Sequence, residues 1–459
     1  MRMKTRLLLL CVTIYAGAME PPQAPNIVMV LIDDMGWGDF SCFGNAEAKT
    51  PNIDRVAREG LSFSQFYVNS PICSPSRVAF STGQYPQRWN ITSYLAFRDQ
   101  NEKRGMAQWL DPKAPMLART LQQAGYATGH FGKWHMGGQR DVTDAPAITA
   151  YGFDRSLTNF EGMGPKLLPL ITRADGSEGK LWEDAERLGT PFTWMPRSRI
   201  TSGFIDAAIP FIDQARATGK PFYVNLWLDD VHSPFWPSPE QLRAGQGNTR
   251  KLYLSVLEEM DWQLGKLLDH LRADEALRHN TLVLICSDNG PEKGAGSAGP
   301  LRGYKTQLFE GGIRSSLIVW GPALVHPQFV GERNATSVFS AIDLAPSLLA
   351  LAGCKPADDI RYDGENLADT LIGKTRSSRK EPLYFSRPPD RKSYYGTKNL
   401  PDLAMRDGEW KLLCDDDGSR SSLYHLASDP VETKDLAARE PAILKRMTAQ
   451  LLAWYHTMP

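Results

Sequence analysis

A single cysteine, Cys73, sits within Ser70-Pro71-Ile72-Cys73-Ser74-Pro75-Ser76-Arg77. Ser74 is placed to cap a helix, and Pro75 suits the first helical position, where its missing N–H costs nothing. The run Val78-Ala79-Phe80-Ser81-Thr82 then reaches Gly83, a helix stop. Cys73 is thereby expected at the positive end of a helix dipole, where unpaired N–H groups favour an anion. Arg77, about one turn further on, shares that face. A nucleophile beside an anion cradle suits phosphoryl or sulfuryl transfer. An isolated cysteine is more often structural, so the reading depends on the company it keeps.

That company lies where apolar runs stop. Asn26 to Ile32 delivers Asp33-Asp34, Phe222 to Leu228 delivers Asp229-Asp230-Val231-His232, and Thr281 to Ser287 delivers Asp288-Asn289-Gly290. Asp33, Asp34, Asp288 and Asn289 together offer oxygen donors that suit calcium, or less well magnesium, better than zinc. Each pair taken alone is also an ordinary strand-exit turn. Gly132-Lys133-Trp134-His135 adds a point charge for an oxyanion and a group that titrates near neutrality. His232 lies in V-H-S-P, and Lys305 lies in R-G-Y-K-T-Q-L-F-E-G-G after a glycine-rich stretch, 290–303.

The sequence C-S-P-S-R fits C-x-P-x-R, the site at which a cysteine is converted to formylglycine, and the chain resembles a formylglycine-dependent sulfatase of the alkaline-phosphatase-like superfamily. G-K-W-H after G-Y-A-T resembles the second signature of that family, with Phe131 and Ser81 departing only in packing positions. The resemblance implies that Asp33, Asp34, Asp288, Asn289 and the modified Cys73 hold calcium. It implies that Arg77, Lys133, His232 and Lys305 bind the sulfate ester. Catalysis would fall to Cys73, Arg77, Lys133, His135, His232 and Lys305. A hydrated aldehyde would attack sulfur, His232 and Lys305 would assist the leaving oxygen, and His135 would take the proton that regenerates the aldehyde. A phosphomonoester or phosphonate hydrolase of the same superfamily is the nearest rival, and a secreted carbohydrate-binding protein without catalysis is a rival of another class. One cation with Lys133, Lys305 and Arg77 fits a singly charged sulfate ester better.

The elements that must position these groups follow from pattern. Continuous apolar strands imply a sheet covered on both faces, hence largely parallel. Helices are predicted between them: Pro51 to Glu59 after Thr50, Pro115 to Ala124, Ser202 to Thr218, and Lys251 to Arg272 with Tyr253, Val256, Leu257, Met260, Leu264, Leu267, Leu268 and Leu271 on one face. The fold class is therefore α/β, with ligands beyond the carboxyl ends of the strands. Short strand-like runs after residue 381 and a helix from Pro441 to Tyr455 predict a smaller antiparallel sheet with a packed helix. The expected organisation is a signal peptide over 1–18, a catalytic domain over 24–373 and a C-terminal subdomain over 381–459.

The charge balance of 52 basic and 52 acidic residues gives no basic excess for nucleic acid, so a local pocket must handle the substrate anion. Arg2, Lys4 and Arg6, the apolar run Leu7 to Tyr15, and Ala16-Gly17-Ala18 read as a secretory leader, which places the mature chain in the periplasm or outside the cell. Leu10 is large for a lipoprotein cleavage site before Cys11. No run is long enough to span a bilayer. Cys42, Cys286, Cys354 and Cys414 show no metal-knuckle spacing. The implied partners are a sulfated carbohydrate and a maturation enzyme acting on Cys73. Specificity is expected from loops 86–110, 136–200 and 233–250, which carry Trp89, Tyr94, Trp109, Trp182, Trp194, Phe235 and Trp236 with Arg88, Arg98 and Arg104.

Overall fold

The structure, a computed structural model, describes residues 24–459 except 160, 357 and 392–395. The leader expected over 1–18 lies outside the described residues. The three runs that end in acidic residues form the strands Asn26–Ile32, Phe222–Leu228 and Thr281–Ser287. Side chains alternate across a strand, so a run that is apolar throughout needs cover on both sides. Ile27, Met29 and Leu31 face one core and Val28, Val30 and Ile32 the other, all fully buried.

Asn26–Ile32 pairs in parallel with both Phe222–Leu228 and Thr281–Ser287, and Phe222–Leu228 pairs in parallel with Ala127–Gly132. Among the described residues the sheet has nine strands; Arg314–Trp320 runs antiparallel to its neighbours Thr281–Ser287 and Leu61–Tyr67. Helices Pro51–Glu59, Ile200–Ala217 and Thr249–Ala273 cover one face. Cys73–Thr82, Leu117–Gln123 and Ala341–Leu351 cover the other. All eight apolar positions expected on the long helix are buried. Its start is two residues earlier, where the Asn248 side chain accepts the Lys251 N–H at 2.9 Å.

A separate four-stranded antiparallel sheet follows in simple sequential order, from Leu383–Ser386 to Ser422–His425. The helix Pro441–His456 closes it through Met447 and Leu451. This is the α/β architecture the pattern predicts. A three-stranded sheet, Lys166–Thr172 between Glu178–Lys180 and Phe192–Pro196, was not expected within 136–200. Among the described residues the five cysteines form no disulfide.

Candidate active site

Parallel register brings the strand ends level. Ile32 stands opposite both Leu228 and Ser287, and Gly132 stands opposite Trp227. The ladder runs one residue beyond each strand: the Asp33 N–H donates to the Leu228 carbonyl at 2.9 Å, and the Lys133 N–H to the Trp227 carbonyl at 2.8 Å. Asp33 and Asp288 thus leave the sheet at one height, with Lys133 one residue below them. Gly132 allows this turn, with φ of 119° and only 2.0 Å between a hypothetical Cβ and the Trp227 oxygen. Asp34 and His135 are non-glycine residues held in the left-handed region, at φ of 58° and 56°. Such strained backbone is concentrated at functional sites.

Cys73 is the first residue of its helix, not a residue ahead of it. The expected cap is corrected accordingly: extended Ile72 precedes the helix, and the Ser74 hydroxyl instead accepts the Leu95 N–H at 2.9 Å. The reason is spatial, since Ser74 already lies within the first turn and a side chain there reaches a neighbouring loop more readily than its own helix. The Cys73 Sγ lies 3.3 Å from Asp33 Oδ1, 2% exposed. Burial and the Asp33 carboxylate push its thiol well above the usual range. As a bare thiol it is therefore a poor nucleophile at neutral pH.

The expected cations close around it. Arg77 donates Nε and Nη2 to Asp288 Oδ2 at 3.1 and 2.8 Å, and Nη1 to the Lys133 carbonyl at 2.9 Å. Lys133 Nζ is 2.5 Å from Asp33, and Lys305 Nζ is 2.5 Å from Asp34. Burial raises the Asp33 carboxyl, but Lys133, His232 and Arg77 outweigh it and hold the group well below the usual carboxylate range. Asp288 goes the other way, to about 7, through burial and the neighbouring Asp33 charge. The loop carrying Lys305 is tied to the nucleophile's own loop, because the Thr306 N–H donates to the Pro71 carbonyl at 2.7 Å. Gly290 packs against the E-G-G turn, where a Cβ would meet the Gly311 oxygen at 2.0 Å.

Both histidines are oriented by carbonyls. His135 Nε2 faces the Leu95 oxygen at 3.1 Å, and His232 Nδ1 faces the Ser233 oxygen at 2.6 Å. A carbonyl only accepts, so these nitrogens carry the protons and the opposite ones are basic. Burial and the Lys133 charge lower both imidazoles, so both are neutral. His232 Nε2 lies 3.5 Å from Lys305 Nζ and 3.5 Å from Asp34. By contrast, Asp229 and Asp230 turn away: Asp229 is held by Arg197 at 2.8 Å and Asp230 by Thr201 at 2.6 Å.

The oxygen donors fit a hard divalent cation. Ligand atoms of Asp33, Asp34, Cys73 and His232 lie within 4.8 Å of one another. Asp288 Oδ1 accepts the Asp34 N–H at 3.2 Å, and Asn289 Nδ2 donates to Asp34 Oδ1 at 2.7 Å. The Asn289 Oδ1 is buried without a hydrogen-bond partner. An orphaned amide oxygen beside three buried carboxylates is the donor set such an ion takes.

Cys73, Lys133, His135, His232 and Lys305 line one cavity of about 320 Å³. Of the loop residues expected to set specificity, Tyr94 and Trp182 line it. Arg88 pairs with Asp363 at 2.6 Å, Arg98 with Asp144, and Arg104 stacks on Tyr94 at 4.6 Å. Glu161, which the motifs did not point to, also lines the cavity, with Oε2 3.4 Å from His135 Nε2. It lies in an irregular segment outside every motif, so only the fold reveals it.

This geometry agrees with the comparisons. The sulfatase family model matches residues 25–354, and the chain belongs to that family, a sulfuric ester hydrolase on the alkaline-phosphatase-like fold. Among particular relatives, it is 33% identical to N-acetylgalactosamine-6-sulfatase of Homo sapiens over 81% of this chain and 70% of that one. It is 30% identical to human arylsulfatase G over 78% and 71%. The crystal structure of Ps i-CgsB in complex with k-i-k-neocarrahexaose superposes with a TM-score of 0.76 at 28% identity, covering 94% of this chain and 93% of that one. The phosphonate monoester hydrolase of Agrobacterium radiobacter shares the fold, with a TM-score of 0.64 at 20% identity over 95% and 96%.

Proposed function

We propose that this sulfatase removes sulfate from a sulfated carbohydrate outside the cytoplasm, using formylglycine made from Cys73 and a calcium ion held by Asp33, Asp34, Asp288, Asn289 and position 73. The observation that carries the reading is the meeting of Cys73, at the start of a buried helix, with Lys133, His135, His232 and Lys305 around one cavity, beside the buried Arg77 that donates to the Lys133 carbonyl. The carbohydrate is supported by the relatives' names, which include an N-acetylgalactosamine-6-sulfatase and a protein crystallised with a neocarrahexaose. Among the described residues no helix is long and apolar enough to cross a membrane. The catalytic unit is residues 24–373, and 381–459 packs beside it.

When present, the aldehyde hydrate supplies the attacking oxygen and the cation polarises the ester. Arg77 and Lys133 bind the anion and stabilise charge gathering on its oxygens, an effect strengthened by exclusion of water. His135 holds its proton on Nε2 toward Leu95, which leaves Nδ1 to accept one. His232 holds its proton on Nδ1 toward Ser233, so the ammonium of Lys305 is the proton donor nearest the leaving oxygen, and His232 Nε2 orients it. A single cation and three basic side chains match one charge on a sulfate ester better than two on a phosphate monoester.

The test joins two readouts on one exported sample: peptide mass at Cys73, and calcium-dependent sulfate release before and after chelation. Formylglycine with release that EDTA abolishes and calcium restores is the expected result. Formylglycine with turnover of phosphate esters and none of sulfate esters would reassign the substrate.

A further inference from the structure

Most polar groups around the cavity already have a task. Lys133 and Lys305 sit on Asp33 and Asp34, while His135 and His232 each face a backbone carbonyl. Arg391 and Arg140 line the cavity too, and both are engaged. Arg391 pairs with Asp390 at 3.8 Å and lies 4.5 Å over the Tyr94 ring, and Arg140 lies 4.8 Å over the Phe97 ring. Two carboxyl oxygens of the lining stand apart. Among the described residues Glu161 Oε2 and Glu292 Oε2 are buried without a hydrogen-bond partner. Glu161 is the deeper, 1% exposed. His135 Nε2 is 3.4 Å from its Oε2, but that nitrogen directs its proton to the Leu95 carbonyl at 3.1 Å.

The segment that carries Glu161 is fastened in place. The buried Lys166 ammonium donates to Thr158 Oγ1 at 2.7 Å, to the Glu161 carbonyl at 3.3 Å and to the Gly162 carbonyl. The Gly162 N–H in turn donates to the Gly138 carbonyl at 2.8 Å. A buried oxygen without a partner is destabilising, so one held this firmly against a cavity is suited to a ligand that completes it. Burial pushes the Glu161 carboxyl up to about 8, so at pH 7 it mostly keeps its proton and offers a donor as well as an acceptor. A sugar hydroxyl has the same two capacities. A second anion is disfavoured, because Glu292 lines this cavity and Glu183 and Asp184 line the adjoining one, which shares Arg140 and Trp182 with it.

We propose that Glu161 is a specificity-determining residue whose carboxyl holds one hydroxyl of the sulfated ring, so that the preferred substrate leaves that hydroxyl unsubstituted and carries no second anion there. This rests on the reading of the deep pocket as the sulfate ester site. The cavity of about 320 Å³ is larger than a sulfate group, so the ring that bears the ester shares it with Glu161.

The experiment measures kcat/KM for sulfate release by the matured enzyme on monosulfated neutral sugars, on analogues in which each hydroxyl of the sulfated ring is replaced by hydrogen in turn, and on analogues in which each is sulfated in turn. The expected result is that one deoxy analogue falls about 10- to 100-fold below its parent sugar, and that sulfation of the same hydroxyl costs at least as much. In Glu161→Ala and Glu161→Met that deoxy analogue and its parent should come within about threefold of each other. Glu161→Gln keeps a donor and an acceptor and should retain most of the discrimination. Each ratio is taken within one protein, so a smaller folded fraction in a variant cancels. Wild-type enzyme indifferent to every deoxy analogue, a discrimination that survives both Glu161→Ala and Glu161→Met, or faster turnover when that hydroxyl is sulfated overturns the role of Glu161. Absence of sulfate release from every probe by protein whose Cys73 is shown to be modified would instead overturn the reading of the deep pocket, and the role of Glu161 with it.

Discussion

Two clusters of buried charge in this molecule look alike on paper and behave differently. One is the pocket at the strand ends. The other joins the E-G-G turn to the C-terminal sheet: Lys411 Nζ lies 2.9 Å from Glu310 and 2.8 Å from Glu432, all three side chains fully buried. Tyr67 donates to Glu310 at 2.6 Å, the Glu310 N–H donates to Glu432 at 2.7 Å, and Arg302 donates to the Glu432 carbonyl at 2.9 Å. Burial raises the Glu310 carboxyl, but Lys411, Arg314 and Arg406 bring it down to about 2. In the pocket, Asp288 rises to about 7 and Asn289 Oδ1 is left without a partner. The first cluster opens onto a cavity with a nucleophile position, and the second is sealed at a seam. Cavity size does not separate them, since a larger space of about 520 Å³ lies beside the second cluster, lined by Gln65, Arg314 and Arg406 among others and by neither cysteine nor histidine. Glu432 at the seam is raised by burial as Asp288 is, so buried charge alone does not mark a site; the position of Cys73 among basic side chains lining a cavity does.

The difference can be broken at either end. Cys73→Ala should lower sulfate release by at least about 1000-fold while the thermal midpoint stays near that of the parent, because only one small buried group is removed. Retention of a tenth of the activity would remove the nucleophile from the pocket reading. Lys133→Ala should cost about 100- to 1000-fold in kcat, as removal of one preorganised donor does elsewhere. At the seam the expectation reverses. Lys411→Met leaves Glu310 and Glu432 facing each other and should lower unfolding free energy by about 3–5 kcal/mol in denaturant melts, with kcat per folded molecule within roughly threefold of the parent. A large loss of kcat without loss of stability would show that the seam acts on Lys305 through the turn.

The smallest effect concerns Glu161 and is read as a pH trend. Burial raises its folded pKa from 4.5 to about 8, so the folded state keeps a proton that the unfolded chain has released. That contribution to stability is whole below about pH 4.5 and is lost as pH rises through about 8. Glu161→Gln removes the loss, so the variant should gain on the parent in thermal midpoint between pH 4.5 and 8. A constant difference across that range would mean that Glu161 is ionised throughout.

Much of this was readable in advance, for physical reasons. Asn26–Ile32, Phe222–Leu228 and Thr281–Ser287 match the predicted runs end for end, because burial on both faces writes an unbroken apolar signal. Of the ten polar positions named from the motifs, Cys73, Lys133, His135, His232 and Lys305 line the cavity, and Asp33, Asp34, Arg77, Asp288 and Asn289 lie fully buried beside them. What escaped has no local signal. Lys166–Thr172 contains Pro169, which argues against a central strand, yet it lies between two partners. Glu161 and Arg140 reach the cavity from irregular segments and Arg391 from the end of a short 3-10 turn, none of which a local pattern announces. Arg88, Arg98 and Arg104 were reasonable from sequence, but their carboxylate and aromatic neighbours occupy them instead.

The helix Cys73–Thr82 is buried along its whole length, and the Cys73 side chain faces inward against Asp33. Around it stand groups drawn from positions 33 to 305, so the pocket closes only when nearly the whole central sheet has assembled. An enzyme that must grip the segment around Cys73, oxidise its β-carbon to an aldehyde and release the sulfur needs that segment extended. The proposed maturation is therefore a race against folding, which sets a deadline for it: a chain that folds first locks in an unconverted thiol, and refolding a finished protein offers no second chance unless the modifying enzyme is present as it happens.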